Sequence, residues 1–166
     1  MRSGFAELAK KAQKGDSAAF AELYSAVYKE LYYYALCNLN TADDAADAVQ
    51  STVTDALAGI KNIRTEDAFK VLMLRILTEK IKLKRAEYAA EREIGGIPNK
   101  EPKYGGIELL DYIESLDEDE KMCFSLNAIY GYTSDEISRI TGFDAAAVRT
   151  HLASGKAKMR RLLKDN

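Results

Sequence analysis

The stretch from Leu116 to Leu163, LDEDEKMCFSLNAIYGYTSDEISRITGFDAAAVRTHLASGKAKMRRLL, is so closely punctuated that it admits few folds. Asp117 and Glu120 stand three apart ahead of an apolar run, the spacing of a capping box. The run itself (Met122, Cys123, Leu126, Ile129, Tyr130) keeps to one helical face, and Gly131 follows it as a left-handed stop. Thr133 and Glu136 repeat the capping pattern. They open a short helix with Ile137 and Ile140 inward, which ends at Gly142. Asp144 caps a third helix whose inner side is Val148, Leu152, Gly155, Met159 and Leu163. Two helices joined by a tight turn with a glycine cross steeply, and that is the helix-turn-helix arrangement.

The second helix of such a pair sits at the surface with its N-terminal half free to enter a major groove. Its outer face here would carry Ala146, Ala147, Arg149, Thr150, Ala153 and Ser154, then Lys156, Lys158, Arg160 and Arg161. Small residues permit close approach to the groove floor, and basic ones pair with phosphates. A three-helix bundle with a solvated basic face and no DNA is the reading this stretch leaves open.

At 166 residues the chain makes one large domain or two small ones. It is 47% hydrophobic with two prolines and no Trp, and rich in Ala, Leu, Lys and Glu, which predicts an all-α protein. No apolar run reaches the roughly 18 residues that a membrane span needs. Arg2 is followed by FAELAKKAQKGD rather than an apolar signal core, so a cytoplasmic location without membrane insertion is expected. Cys37 and Cys123 lie far apart on apolar faces without metal spacing, and are expected to be reduced core residues. Net charge is −2, not the basic balance of a strong autonomous DNA binder. From Ile107 onward there are 8 Lys+Arg and 11 Asp+Glu, with most acids before Asp144 and most bases after it. Such polarity suits a module that meets DNA on one side and a larger partner on the other.

Along the chain, Met1 to Ala12 predicts a first helix with Phe5, Leu8, Ala9 and Ala12 on one face, and Gly15-Asp16 breaks it. A long second helix follows, with Phe20, Leu23, Tyr24, Val27, Tyr28, Leu31, Ala35, Leu36 and Leu39 periodic. Tyr32-Tyr33-Tyr34 point to several faces at once, so only part of this run belongs to a core unless the helix is buried on several sides. Thr41 to Asp44 starts a third helix with Ala45, Ala48, Val49, Val53, Ala56, Leu57 and Ile60 inward. Its polar face holds Asp44, Asp47, Gln50 and Asp55. A break over Asn62 to Asp67 precedes a fourth helix with Phe69, Leu72, Ile76 and Leu77 inward. That helix turns basic at Arg75, Lys80, Lys82, Lys84 and Arg85. The stretch EIGGIPNKEPKYGG, 93–106, holds both prolines and four of the ten glycines, and reads as a linker between domains 1–92 and 107–166. A short helix over Ile107 to Ser115 leads into the punctuated stretch.

No enzymatic constellation emerges. His151 is the sole histidine, neither cysteine has a base near it in sequence, and the glycine pairs flank prolines rather than forming a phosphate loop. A binding protein without a cofactor or metal is expected.

Several stretches together resemble the extracytoplasmic-function (ECF) group of sigma-70 family sigma factors. GDSAAFAELYSAVYKELYYYAL resembles the start of the family's region 2, and Asp44-Ala45-Ala46-Asp47-Ala48-Val49-Gln50 its acidic "DAEDIVQ" signature. Phe69-Lys70 through Arg75-Ile76 resembles the segment after the promoter-recognition loop, and LDEDEK…MRRLL resembles region 4 throughout. The resemblance implies two small helical domains, a region 2-like four-helix domain and a region 4-like helix-turn-helix domain, joined by a flexible linker. It implies binding to core RNA polymerase, at the β′ clamp and β flap, with Asp44, Asp47, Val49 and Gln50 at the clamp, where charge steers docking. It also implies that the loop over Asn62 to Asp67, with Arg64 and Thr65, captures a flipped base of the −10 element. Lys80, Lys82, Lys84 and Arg85 would follow the DNA backbone. Arg149, Thr150, His151 and Ser154 would read the −35 element, with Lys156 and Lys158 on phosphates. An anti-sigma factor that holds the two domains together is a further implied partner.

The chain departs from the pattern at Leu72, where the family usually has Trp, and at Glu79 and Leu83, where polar Asn and Asp are common. His151, Ala153 and Ser154 stand where Arg, His and Arg are common. These departures imply weak DNA reading or an unusual promoter. They leave open a divergent regulator that binds polymerase or DNA without initiating, and a helical protein–protein interaction module.

Overall fold

The computed structural model describes residues 4–101 and 108–164. Every regular element among them is helical: α1 (Phe5–Gln13), α2 (Ser17–Asn38), α3 (Ala42–Gly59), a single 3-10 turn (Ile60–Asn62), α4 (Glu66–Glu93), α5 (Glu108–Ile113), α6 (Glu118–Tyr130), α7 (Ser134–Thr141) and α8 (Ala145–Lys164). The boundaries follow from side chains that satisfy the open backbone groups at helix ends. Asp16 accepts from the Ala19 amide at 3.1 Å, Thr41 from Asp44 at 3.0 Å and Thr65 from Ala68 at 3.1 Å. At α7 the box is reciprocal: Thr133 accepts from the Glu136 amide at 3.3 Å and Glu136 from the Thr133 amide at 3.0 Å. Each such cap contributes about 1 kcal/mol. Gly131 (φ 72°) and Gly142 (φ 82°) close α6 and α7 in the left-handed region.

Helices α1 to α4 form one bundle around Phe20, Leu31, Phe69, Leu74 and Leu77, and α5 to α8 a second around Ile113, Met122, Leu126, Ile137 and Val148. The two interiors are continuous, because α2 packs against α5 and α6, and α4 packs against α7. The division at 93–106 is retained as a proposal. Helix α4 runs to Glu93, Gly95 takes a left-handed φ of 85°, and residues 94–101 form no helix. Pro102, Gly105 and Gly106 lie outside the described residues.

Several local readings change, and Leu57 and Leu163, both read as inward, are exposed. The break before α4 is narrower than 62–67, since Glu66 and Asp67 already occupy the first turn of α4 behind the Thr65 cap. The tyrosine run divides: Tyr34 is wholly buried with its hydroxyl 2.8 Å from Thr78 Oγ1, whereas Tyr32 and Tyr33 are half-buried. Tyr28, grouped above with the periodic apolar face, is exposed and stacks on Tyr32 along the outside of α2.

Two glycines make opposite predictions. A Cβ at Gly155 would meet Phe124 Cδ2 at 3.5 Å and Leu116 Cδ1 at 3.7 Å, which is ordinary contact, and the residue lies inside α8. Gly155→Ala should therefore raise stability by roughly 0.5–1 kcal/mol through helix propensity. Gly131→Ala should lower it by about 1–2 kcal/mol, because an L side chain is forced to positive φ. Urea unfolding midpoints of the two variants test both signs.

Candidate polymerase and nucleic-acid interfaces

Helix α8 divides lengthwise. Ala146, Arg149, Thr150, Ala153, Lys156 and Arg160 recur at helical spacing and are exposed, forming an outer row of small and basic residues. The positions His151, Ser154 and Lys158 form a different row that turns toward α6. Lys158 Nζ lies 2.6 Å from Glu120 Oε1 and 3.5 Å from Asp117 Oδ2, and Ser154 also hydrogen-bonds to Glu120. His151 Nε2 is 3.9 Å from Asp119 Oδ2, and its ring lies against Phe143. Of the six residues expected to meet the −35 element, the structure places Arg149, Thr150 and Lys156 on one open face. It turns His151, Ser154 and Lys158 inward, so their first role is to bind α8 to α6.

Glu120 is the anchor of that arrangement. Its side chain is 5% exposed, and it accepts from the Asp117 amide at 2.9 Å as well as from Lys158. Burial pushes its carboxyl up. The hydrogen bonds from Lys158, Ser154 and the Asp117 amide outweigh this and bring it down to about 2.

The acidic face of α3 is partly open. Asp43, Asp47 and Gln50 are exposed, and Asp44 is half-buried. Asp44 accepts a hydrogen bond from the Tyr88 hydroxyl, which in turn accepts from the Asn40 amide at 3.2 Å, and Lys84 Nζ lies 3.9 Å from Asp44. Burial is the main reason that the Tyr88 phenol is raised above its ordinary range, and the bond to Asp44 adds to it. Val49 is 1% exposed and sits in the core, so it shapes α3 from beneath and does not belong to its outer face.

The segment after α3 is braced from a distance. Gln13 Nε2 donates to the carbonyls of Ile60 and Ile63, each at 3.0 Å, and so pins the 3-10 turn to the end of α1. Asn62, Arg64 and Thr65 are exposed beside it. Between α1 and this segment lies a cleft of about 360 Å³ with Ala6, Ala9 and Ile63 as apolar wall and Lys10, Lys61 and Arg64 at its rim. Sequence reading missed Gln13, whose only signal is an amide at the end of an amphipathic helix.

The basic end of α4 is not an open cationic track. Lys80 Nζ is 2.6 Å from Asp55 Oδ2, and Lys84 Nζ is 3.0 Å from Glu87 Oε2. Lys82 Nζ donates to the Thr141 carbonyl at 2.5 Å and lies 5.3 Å from the centre of the Phe143 ring. Arg85 is 8% exposed; its Nε donates to the Asn38 carbonyl at 3.3 Å and its Nη2 to Asn38 Oδ1 at 2.8 Å. Burial lowers the Arg85 guanidinium from its usual value, and Glu118 on α6 is the largest charge opposing that. Asn38 Nδ2 in turn donates to Ser125 Oγ at 3.1 Å on α6.

A capped helix-turn-helix with an open basic row is thus set against a four-helix bundle with an acidic helix. Residues 107–159 match the family model described as "Sigma-70, region 4". The structure resembles that of CnrH in complex with the cytosolic domain of CnrY (TM-score 0.69, 24% identity, 96% of each chain covered). It also resembles the sigma factor RpoE from Bartonella quintana, in complex with the anti-sigma factor NepR (TM-score 0.72, 20% identity, 87% of this chain and 96% of that one). No curated protein matches the sequence. Residues 107–159 are thus similar to sigma-70 region 4, and the overall fold of the chain is the one that CnrH and RpoE share. No helix among the described residues is long and apolar enough to cross a membrane.

The Glu120–Lys158 pair gives stability a defined pH dependence. In the unfolded chain Glu120 binds its proton near the ordinary value of 4.5, and in the folded chain only near about 2. The depressed carboxyl therefore stabilises the fold fully above that ordinary value, and its contribution is lost as pH falls toward about 2. Lys158 is raised, so its side of the pair is lost only at pH above the ordinary lysine range. Urea midpoints between neutral and acid pH should show Glu120→Gln less stable at neutral pH and flatter on the acid side than the parent. Parallel curves would remove Glu120 from the acid response.

Proposed function

We propose that the chain, as a sigma factor, docks on core RNA polymerase through the outer face of α3 and reads promoter DNA through two separate surfaces. Asp47 and Gln50, with Asp43 and Asp44 beside them, offer the polymerase an exposed acidic face. A basic surface such as a clamp would meet it through complementary charge. The β′ clamp takes this face, and the β flap takes the second domain. The outer row of α8, with Arg149 and Thr150 ahead of Lys156 and Arg160, reads the −35 element in the major groove. The cleft between α1 and residues 60–65 receives an unpaired base of the −10 element. Its apolar wall suits a base face, and its basic rim suits the flanking phosphates.

The observation that carries this reading is the division of α8. Its open row is made of small residues and cations, the surface chemistry of a groove-reading helix, and all of it but Arg160 lies within the segment matched to region 4. The role is one of binding rather than catalysis. RpoE in the related structure is held by an anti-sigma factor, and we extend that class of partner to this chain.

Run-off transcription with purified core polymerase on DNA from the source genome tests the reading. New start sites that require the protein are the expected result, and their absence together with absence of polymerase binding would overturn it. Asp47→Lys should weaken binding to core polymerase about tenfold or more, through lost charge complementarity, while leaving the circular dichroism spectrum unchanged. Arg149→Glu should leave polymerase binding intact and reduce initiation at the selected promoters by roughly 10-fold to 100-fold, the range set by one lost base contact and one added repulsion.

A further inference from the structure

The segment between α3 and α4 is too short for regular structure beyond one turn. A hydrogen bond from the Ile63 amide to the Ile60 carbonyl at 3.1 Å closes that 3-10 turn, and the Ile60 side chain is buried. Asn62, Arg64 and Thr65 are exposed. A short irregular segment of this kind opens locally more easily than the helices beside it. Here the restraint comes from α1. The Gln13 side-chain nitrogen carries two protons, and it donates at 3.0 Å to each of the carbonyls of Ile60 and Ile63, 47 and 50 residues further along. These are the first residue of the turn and the residue that follows it, so a single side chain holds the turn at both ends. The mount is firm. Ala9 and Ala12 of α1 are buried, and the Phe5 ring lies 5.9 Å from that of Phe69 on α4. Gly15 (φ 97°) closes α1 directly ahead of the Asp16 cap of α2. Gln13 also lines the cleft whose rim carries Lys10, Lys61 and Arg64.

We propose that Gln13 is a positioning residue for base selection in this cleft, a role that rests on the reading of residues 60–65 as the −10 surface. An unpaired base is told from the other three by where a few donors, acceptors and walls stand, and a segment that opens and closes offers them in many places. Gln13 holds the Ile60 and Ile63 carbonyls, and through them the backbone on which Asn62 and Arg64 are set. The cations on the rim attract any nucleotide alike, since phosphate contacts carry no sequence. Removing the brace therefore leaves attraction to DNA in place and blurs the choice of base. The docking face around Asp47 and Gln50 lies roughly three helical turns back along α3, so polymerase binding stays as it is.

Gln13→Met keeps the length of the side chain and removes both donors. Val27→Ala, which thins the buried core of α2, is the control for general destabilisation. In the free protein, limited trypsin cleavage after the exposed Lys61 and Arg64 reads the opening of the segment, with fragments assigned by mass. Loss of the two neutral hydrogen bonds should speed cleavage at these sites roughly tenfold. Gln13→Glu, which turns an anion toward the same carbonyls, should speed it further. Cleavage there at the parent rate, or a rise at every Lys and Arg alike as in Val27→Ala, overturns the proposal. The second measurement is run-off transcription with core polymerase on a promoter pool randomised at every −10 and −35 position. Gln13→Met should keep the parent's affinity for core polymerase and its preferences at all positions but one. At that −10 position, discrimination between bases should fall about tenfold, while Val27→Ala keeps it. Loss spread evenly over the positions, or the same loss in Val27→Ala, overturns the proposal. A parent that selects no −10 base removes the sigma reading and the proposal together. A parent that selects one, with a variant that selects it equally, removes the proposal alone.

Discussion

Asn38 is the point on which the two halves of the molecule turn. It is 6% exposed at the end of α2, and every polar atom of its amide is used. Nδ2 donates to the Tyr34 carbonyl at 2.8 Å and to Ser125 Oγ at 3.1 Å, and Oδ1 accepts from Arg85 at 2.8 Å. One side chain thus joins α2, α4 and α6. Asparagine suits the place because it alone combines two donors and an acceptor on one short planar group. Aspartate would form a better partner for Arg85 but would turn a repelling oxygen toward the Tyr34 carbonyl. A buried network of this kind is nearly all-or-none, since a half-satisfied member costs more than an apolar replacement. The seam is therefore either closed in this register or open, with little in between.

That property explains how weak parts make a defined arrangement. The apolar contact of α2 with α6 and of α4 with α7 is non-directional and could slide. The polar pins cannot slide. Asn38–Ser125 fixes one end of the seam, and Lys82 on the Thr141 carbonyl fixes the other. The second pin acts on a helix end, where the carbonyl has no amide of its own to bond and the dipole favours a cation.

The elements whose causes are local were legible in the chain. Asp16, Thr41, Thr133, Gly131 and Gly142 mark helix ends within one residue of where they fall, because a cap needs only neighbours three or four positions away. The helix-turn-helix follows from the same signals. What the sequence hid depends on rotation about a helix axis or on distant partners. His151, Ser154 and Lys158 look like members of the groove-facing row until Glu120, far back in the chain, claims two of them. Val49 sits in an acidic signature yet belongs to the core, one helical step from the exposed Asp47 and Gln50. Arg85 reads as one more cation in a basic run, whereas in the folded chain it is buried and bonded to Asn38 of α2. Ser125 and Asn38 had a faint signal, as polar residues inside apolar helical faces. A buried polar position of that sort generally has a partner, but sequence does not say which.

On the role proposed for α8, the inward turn of Lys158 changes how that helix must work. With that lysine committed to Glu120, the outer row of α8 keeps Arg149, Lys156 and Arg160, along with the exposed Arg161. Each phosphate neutralised adds about 0.9 to the slope of log affinity against log salt, so a few cations supply only weak non-specific binding. Small residues at Ala146 and Ala153 add close approach but little energy. Such a helix reads DNA usefully only when something else brings it there. Under the proposed docking, tethering through polymerase supplies that, because an attached reader meets its site at millimolar effective concentration and needs no strong affinity of its own. The Glu120–Lys158 pair then serves selectivity instead of attraction. It fixes the rotation of α8 on α6, so that the few groups left outside meet the groove in one orientation, and a weak reader with one orientation discriminates better than a strong one that can roll.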